Sequence, residues 1–95
     1  VWRETEFHVR RAEVDYLKPF VLGDTVEAWV RVERVGTSSL TKRFELLHAG
    51  TGELHTAITM VSVNVHLPTG RPAPLAEPVR EFLEALMVAQ PERIA

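Results

Sequence analysis

The chain has 95 residues, 45% hydrophobic and 25% charged, with a formal net charge of −2 and no cysteine. That length allows one domain with a modest core. The missing cysteine rules out disulfide staples, thiolate metal sites and a cysteine nucleophile, and a slightly acidic balance offers no electrostatic grip on nucleic acid. No apolar run approaches the ~18 residues of a membrane helix and no leader pattern is present, so a soluble cytoplasmic protein is expected, with neither membrane nor nucleic acid as partner.

Residues 1–5 carry no pattern. From Glu6 to Tyr16 the chain reads as a strand with interrupted alternation. Phe7 and Val9 share one face, and Ala12, Val14 and Tyr16 the other. The change of face near Arg10-Arg11 predicts a bulge, or a strand buried at its two ends by different partners. Lys18-Pro19 stops the strand, because proline cannot donate to a ladder. Gly23-Asp24 is a turn signal. Thr25 to Val35 then alternates with β-branched residues: Val26, Ala28, Val30 and Val32 on one face, Glu27, Arg31 and Glu33 on the other. At ~3.4 Å per residue this strand spans about 37 Å, which implies a broad, curling sheet. Trp29 falls on its polar face, where a neighbouring subunit or the C-terminal helix is the simplest cover.

Gly36-Thr37-Ser38-Ser39 is a polar connector. Leu40 to Leu47 is a third strand, with Leu40, Phe44 and Leu46 on one face and Thr41, Arg43 and Glu45 on the other. Ala49-Gly50-Thr51-Gly52 is a short hairpin loop. Leu54 to Leu67 is a fourth strand, apolar on both faces, as in a strand covered on two sides. After the turn at Pro68–Pro72 the chain becomes helical. Pro78 suits a first helical position, and Val79, Phe82, Leu83 and Leu86 follow the i, i+3, i+4, i+7 rule. Arg80 and Glu84 are placed to pair on the outer face, in the weaker orientation. Pro91 bounds the helix.

The prediction is therefore an α+β domain of four antiparallel strands and one helix. Four strands of this length present a face of roughly 700 Å², of which one short helix shades about 200 Å². A monomer tolerates an apolar patch of about 300–600 Å². A second subunit, a further segment, or both must cover the rest, so an obligate homo-oligomer is expected.

The order of signals resembles the hotdog-fold acyl-CoA thioesterases of the 4-hydroxybenzoyl-CoA thioesterase branch. Phe7 to Pro19 looks like the strand after that family's central helix, ending in tyrosine-x-x-proline. Leu22-Gly23-Asp24-Thr25-Val26 looks like its turn into a long strand, and Arg34 to Leu40 like its polar connector. Ala49 to Leu54 looks like its tight hairpin, and Thr69-Gly70-Arg71-Pro72-Ala73-Pro74-Leu75 like its tail. The resemblance covers about residues 6–86.

It implies a long curled sheet wrapped around a central helix, acting as a homodimer or homotetramer with the active site at a subunit interface. Val1 is not an initiator methionine, and the family's central helix and catalytic carboxylate would lie upstream of it. Thioester hydrolysis needs a carboxylate as base or nucleophile and oriented N–H donors for the oxyanion. Within the chain, Glu13 and Asp15 stand two apart on one strand face, first of all as edge charges; Asp15 is the better substitute for the catalytic group. The resemblance implies contacts to the CoA moiety from Tyr16, Lys18, Arg34, Gly36, Thr37, Ser38, Ser39, His66 and Arg71. The connector can bind phosphate through backbone N–H groups and hydroxyls, with Arg34 adding charge. Lys18 and Arg71 are otherwise ordinary surface charges at strand ends.

His8, His48 and His55 lack metal-ligand spacing, and no cofactor is expected beyond the CoA of the substrate. No G-x-S-x-G elbow or phosphate loop is present. The alternative function is a non-catalytic hotdog module that binds an acyl or CoA ligand or serves as an assembly partner.

Overall fold

The computed structural model describes residues 5–89 and 91–95. The elements are β1 (Thr5–Tyr16), β2 (Val26–Val35), β3 (Ser39–His48), β4 (Leu54–His66), β5 (Arg71–Pro72), α1 (Glu77–Val88) and β6 (Glu92–Arg93). The strands form one antiparallel sheet in the order β1-β4-β3-β2-β6, with β5 pairing beside β4. The four long strands and the helix are those expected from alternation and periodicity. The two-residue strands β5 and β6 are additions, too short for a period to show.

Two bulges give the sheet an apolar face. In β1 the register slips between Val9 and Arg11, leaving Arg10 without a partner. Phe7 and Val9 pair with Asn64 and Ser62, while Ala12, Val14 and Tyr16 pair with Met60, Ile58 and Thr56. All five β4 partners are even-numbered and so share one side. One inserted residue therefore returns both halves of β1 to the same face, which decides between the two readings of its interrupted pattern. In β2 the register slips between Val32 and Arg34. Val35 then pairs with Leu40 and joins Val26, Ala28, Val30 and Val32 on that face.

Helix α1 packs on this apolar face along β2. Val79 and Leu83 meet Val32, Leu40 and Leu75 in the buried core, with Phe7, Val35 and Leu86 around it. Phe82, on the same predicted stripe, is 58% exposed. Trp29 lies on the side of the sheet away from α1, next to Arg93 of β6, so the helix does not cover it. β6 and the last residues line the outer edge of β2: Ala28 N–H donates to Ala95 O at 2.7 Å, and Ile94 N–H to Ala28 O at 2.7 Å. Away from α1 no other element among the described residues covers the apolar face, and Val9 is 58% and Val14 40% exposed. No helix among the described residues is long and apolar enough to cross a membrane.

Candidate functional site

Two clusters of polar groups occupy opposite ends of the sheet. The first surrounds the β2–β3 connector. Gly36 N–H donates to Ser39 O at 2.8 Å, closing the turn. A Cβ at Gly36 would stand 2.4 Å from Ser39 Oγ, so any larger residue there would turn that hydroxyl to another rotamer. Ser38 O accepts the N–H of Asn64 at 2.7 Å, and Thr37 O that of Leu75 at 2.9 Å. Arg80 reaches over from α1 and donates through Nη2 to Gly36 O at 2.7 Å and Thr37 O at 3.2 Å. The connector carbonyls are thus engaged. Among the described residues, the N–H groups of Thr37 and Ser38 have no acceptor. They remain available to an anion, next to a guanidinium.

Asn64 holds this end together. It is buried, its Nδ2 donates to Ala73 O at 3.1 Å and Pro74 O at 3.3 Å, and its main-chain carbonyl accepts the Ala73 N–H at 2.9 Å. One residue, through side chain and main chain, thereby fixes the extended segment that leads into α1. His66 closes β4, its Nδ1 3.2 Å from Thr69 Oγ1, and Arg71 pairs with it across the turn. Arg34, exposed near the end of β2, completes the group.

Of the residues expected to contact CoA, Arg34, Gly36, Thr37, Ser38, Ser39, His66 and Arg71 thus gather at one end. Tyr16 and Lys18 do not join them within a subunit. Tyr16 ends β1 and Lys18 follows it, about 23–33 Å along the sheet from Ser39 and His66 at ~3.3 Å per residue. Tyr16 is 82% exposed, and Lys18 is ion-paired with Glu53. Asp15 pairs with Ala57, on the side of the sheet away from α1. Sequence position alone gives Arg80 and Asn64 no place in the site. The Arg80–Glu84 pair forms at 3.6 Å, but the guanidinium is mainly a tie between helix and connector. No periodicity announces that role. Asn64 has a visible cue, as the one side-chain amide of β4, flanked by Val63 and Val65.

The second cluster sits at the hairpin end. Gly23, at φ +97°, turns the chain so that Asp24 folds back. Asp24 Oδ2 accepts the Val21 N–H at 2.8 Å, and Oδ1 lies 3.2 Å from His48 Nε2. His48 Nδ1 accepts the N–H groups of Gly50 and Thr51 at 3.1 and 3.2 Å. An imidazole nitrogen that accepts carries no proton, so the ring proton is on Nε2 and is donated to Asp24. The Val21 N–H and then His48 hold the Asp24 carboxyl below the usual range. Lys18 does the same for Glu53. His55 is buried, stacks on Phe20 at 4.4 Å, and leaves its Nδ1 without a partner among the described residues. His48 is fully engaged as a brace for the hairpin and is not free to act as a base. Among the described residues no group of His, Asp and Glu is arranged to hold a metal ion.

Between the clusters, a cavity of about 420 Å³ opens between α1 and the apolar face. Val30, Leu40 and Phe44 form its floor, and Phe82 and Leu86 its helical wall. This is within the usual size of a small-molecule site.

Comparison with known proteins places this geometry among relatives. The family model described as the thioesterase superfamily matches residues 3–55. No curated protein sequence matches the chain. A thioesterase of Thermus thermophilus, solved with coenzyme A and zinc, is 42% identical, with a TM-score of 0.76 over 88% of this chain and 62% of its own. A protein of Pseudomonas aeruginosa is 31% identical, with a TM-score of 0.78 over 92% of this chain and 62% of its own. A predicted thioesterase of Bacillus stearothermophilus is 31% identical, with a TM-score of 0.79 over 84% and 59%. The chain spans about three fifths of the length of these structures.

Proposed function

This chain belongs to the thioesterase superfamily and has its hotdog architecture, and from that premise we propose that it hydrolyses acyl-CoA thioesters to a carboxylic acid and CoA in the cytoplasm. The observation that carries the proposal is the family match over residues 3–55. One feature supports it. The free N–H groups of Thr37 and Ser38, with Arg34, Arg80, His66 and Arg71 around them, suit the phosphates of CoA. The carboxylate that activates water is assigned to sequence outside the described residues, since Asp15 faces away from the cavity.

The same proposal includes self-association. β1 has β4 on one side and no strand among the described residues on the other. An unpaired strand of this length invites a second chain. Two copies pairing antiparallel along β1 would set the partner subunit's Tyr16 and Lys18 beside this subunit's His66 and connector. That arrangement unites the CoA contacts that a single subunit separates.

The test is thiol release from short-chain, long-chain and aromatic acyl-CoAs by the whole protein, alongside its mass by light scattering. Turnover above the buffer rate and a dimeric or tetrameric mass are expected. Arg71→Ala should raise KM with kcat unchanged. A whole protein that binds CoA without turnover would replace hydrolysis with the binding-module alternative, and a monomeric mass would remove the shared site.

A further inference from the structure

Arg80 does more than pair with Glu84 along α1. Its Nη1 lies 3.6 Å from Glu84 Oε1, while Nη2 donates to Gly36 O at 2.7 Å and to Thr37 O at 3.2 Å. The side chain is half-buried. One guanidinium thus crosses from the helix to the connector and grips two consecutive carbonyls, and both ends of this tie lie within the described residues.

A trans peptide unit points its C=O and its N–H in opposite directions. Gly36 O and the Thr37 N–H belong to one such unit, and Thr37 O and the Ser38 N–H to the next. The carbonyls that Arg80 holds are therefore the reverse sides of the two N–H groups that have no acceptor among the described residues. Thr37 O has a second donor, the Leu75 N–H at 2.9 Å; Gly36 O has no other among the described residues. The direction of the Thr37 N–H thus depends on Arg80. A cation on the carbonyl oxygen also polarises the amide and strengthens its N–H as a donor.

We propose that Arg80 is a positioning residue for CoA. It touches neither the phosphates nor the thioester; it orients and polarises the two peptide units whose N–H groups receive a phosphate, and so makes α1 and the phosphate site one unit. The inference deepens the thioesterase proposal and rests on it for the identity of the ligand.

The test compares an acyl-CoA with the corresponding S-acyl-pantetheine, which carries the same thioester without phosphates, in the whole protein. Arg80→Met is expected to raise KM for the acyl-CoA, and the calorimetric Kd of CoA, by about tenfold with kcat within about twofold. KM for the acyl-pantetheine should stay within about twofold, whereas a general loss of structure would raise both. Arg80→Lys should recover most of the loss. Glu84→Gln, which removes the ion pair and neither carbonyl contact, should match wild type. The ratio of mutant to wild-type Kd should persist in about 0.5 M salt, where charges acting at a distance are screened. Arg80→Gln gives the same readings should Arg80→Met not fold. An unchanged Kd, an equal rise for both substrates, or a ratio that vanishes in salt would overturn the proposal, as would a wild-type protein that does not bind CoA. CoA affinity that depends on Arg80 without turnover would keep this role and remove the thioesterase; turnover with CoA affinity indifferent to Arg80 would do the reverse.

Discussion

At the connector end of the sheet, α1 and Leu75 close over Val32 and Leu40, and Asn64 and Arg80 bind the crossing main chain. At the hairpin end no helix among the described residues covers the strands, and Tyr16 and Leu22 are exposed. There the chain is held by a carboxylate, an imidazole and the N–H groups they accept. The same alternating strands run through both ends, so the difference lies in the segments that cover each end. One end receives the helix, and its stability comes from burial and neutral hydrogen bonds. The other relies on ionised groups near water. The first should resist acid and fail when volume is removed; the second should tolerate small changes of volume and respond to pH.

The largest expected effect tests the burial half. Leu83 is 8% exposed at the centre of the helix–sheet contact. Leu83→Ala removes three carbons and leaves a cavity, which costs about 2–4 kcal/mol. The fall in urea midpoint should be the same at pH 5 and pH 7, since no titrating side chain belongs to that core cluster. Next comes Asn64→Ala, which leaves the carbonyls of Ala73 and Pro74 short of a donor at a loss of about 1–3 kcal/mol. It should also weaken CoA binding by loosening the connector, an effect that a purely structural loss elsewhere would not produce.

A change at the hairpin end should run the other way. His55 buries an unpartnered Nδ1 against Phe20. Relief of that buried nitrogen by His55→Leu is worth about 1–3 kcal/mol, against a loss of ring stacking of about 0.5–1.5 kcal/mol. A net gain of about 1 kcal/mol is expected in urea unfolding. A net loss would mean that Nδ1 is satisfied by water in solution.

The limits of the sequence follow the same division. Strand alternation and the helical stripe are local and periodic, and they locate the four long strands and α1 to within a residue or two. The change of face at Arg10-Arg11 is already a visible fault in a period of two, and the bulge is its resolution. What periodicity does not encode is reach. Arg80 finds the connector, Asp24 finds His48, and Tyr16 ends far from Thr37 because of strand order, which no local pattern carries.

The finest test of the comparison is the acid limb of stability. The Asp24 carboxyl is held below its usual range when folded, chiefly by the Val21 N–H and then by His48. A folded value below the unfolded one means that the native state binds the proton less readily. Its contribution is therefore complete above the ordinary carboxylate range near pH ~4 and is lost as pH falls through the lowered value. Glu53, lowered by Lys18, acts in the same direction. Asp24→Asn should lower the urea midpoint at pH 7, then lose less than wild type between about pH 5 and pH 3, so that the two curves converge. His48 and His55 remain in both proteins, so the difference between the curves belongs to the carboxylate. Asn64→Ala, by contrast, should displace the whole curve in parallel. Parallel displacement by Asp24→Asn as well would mean that the hairpin end is held by shape and not by charge.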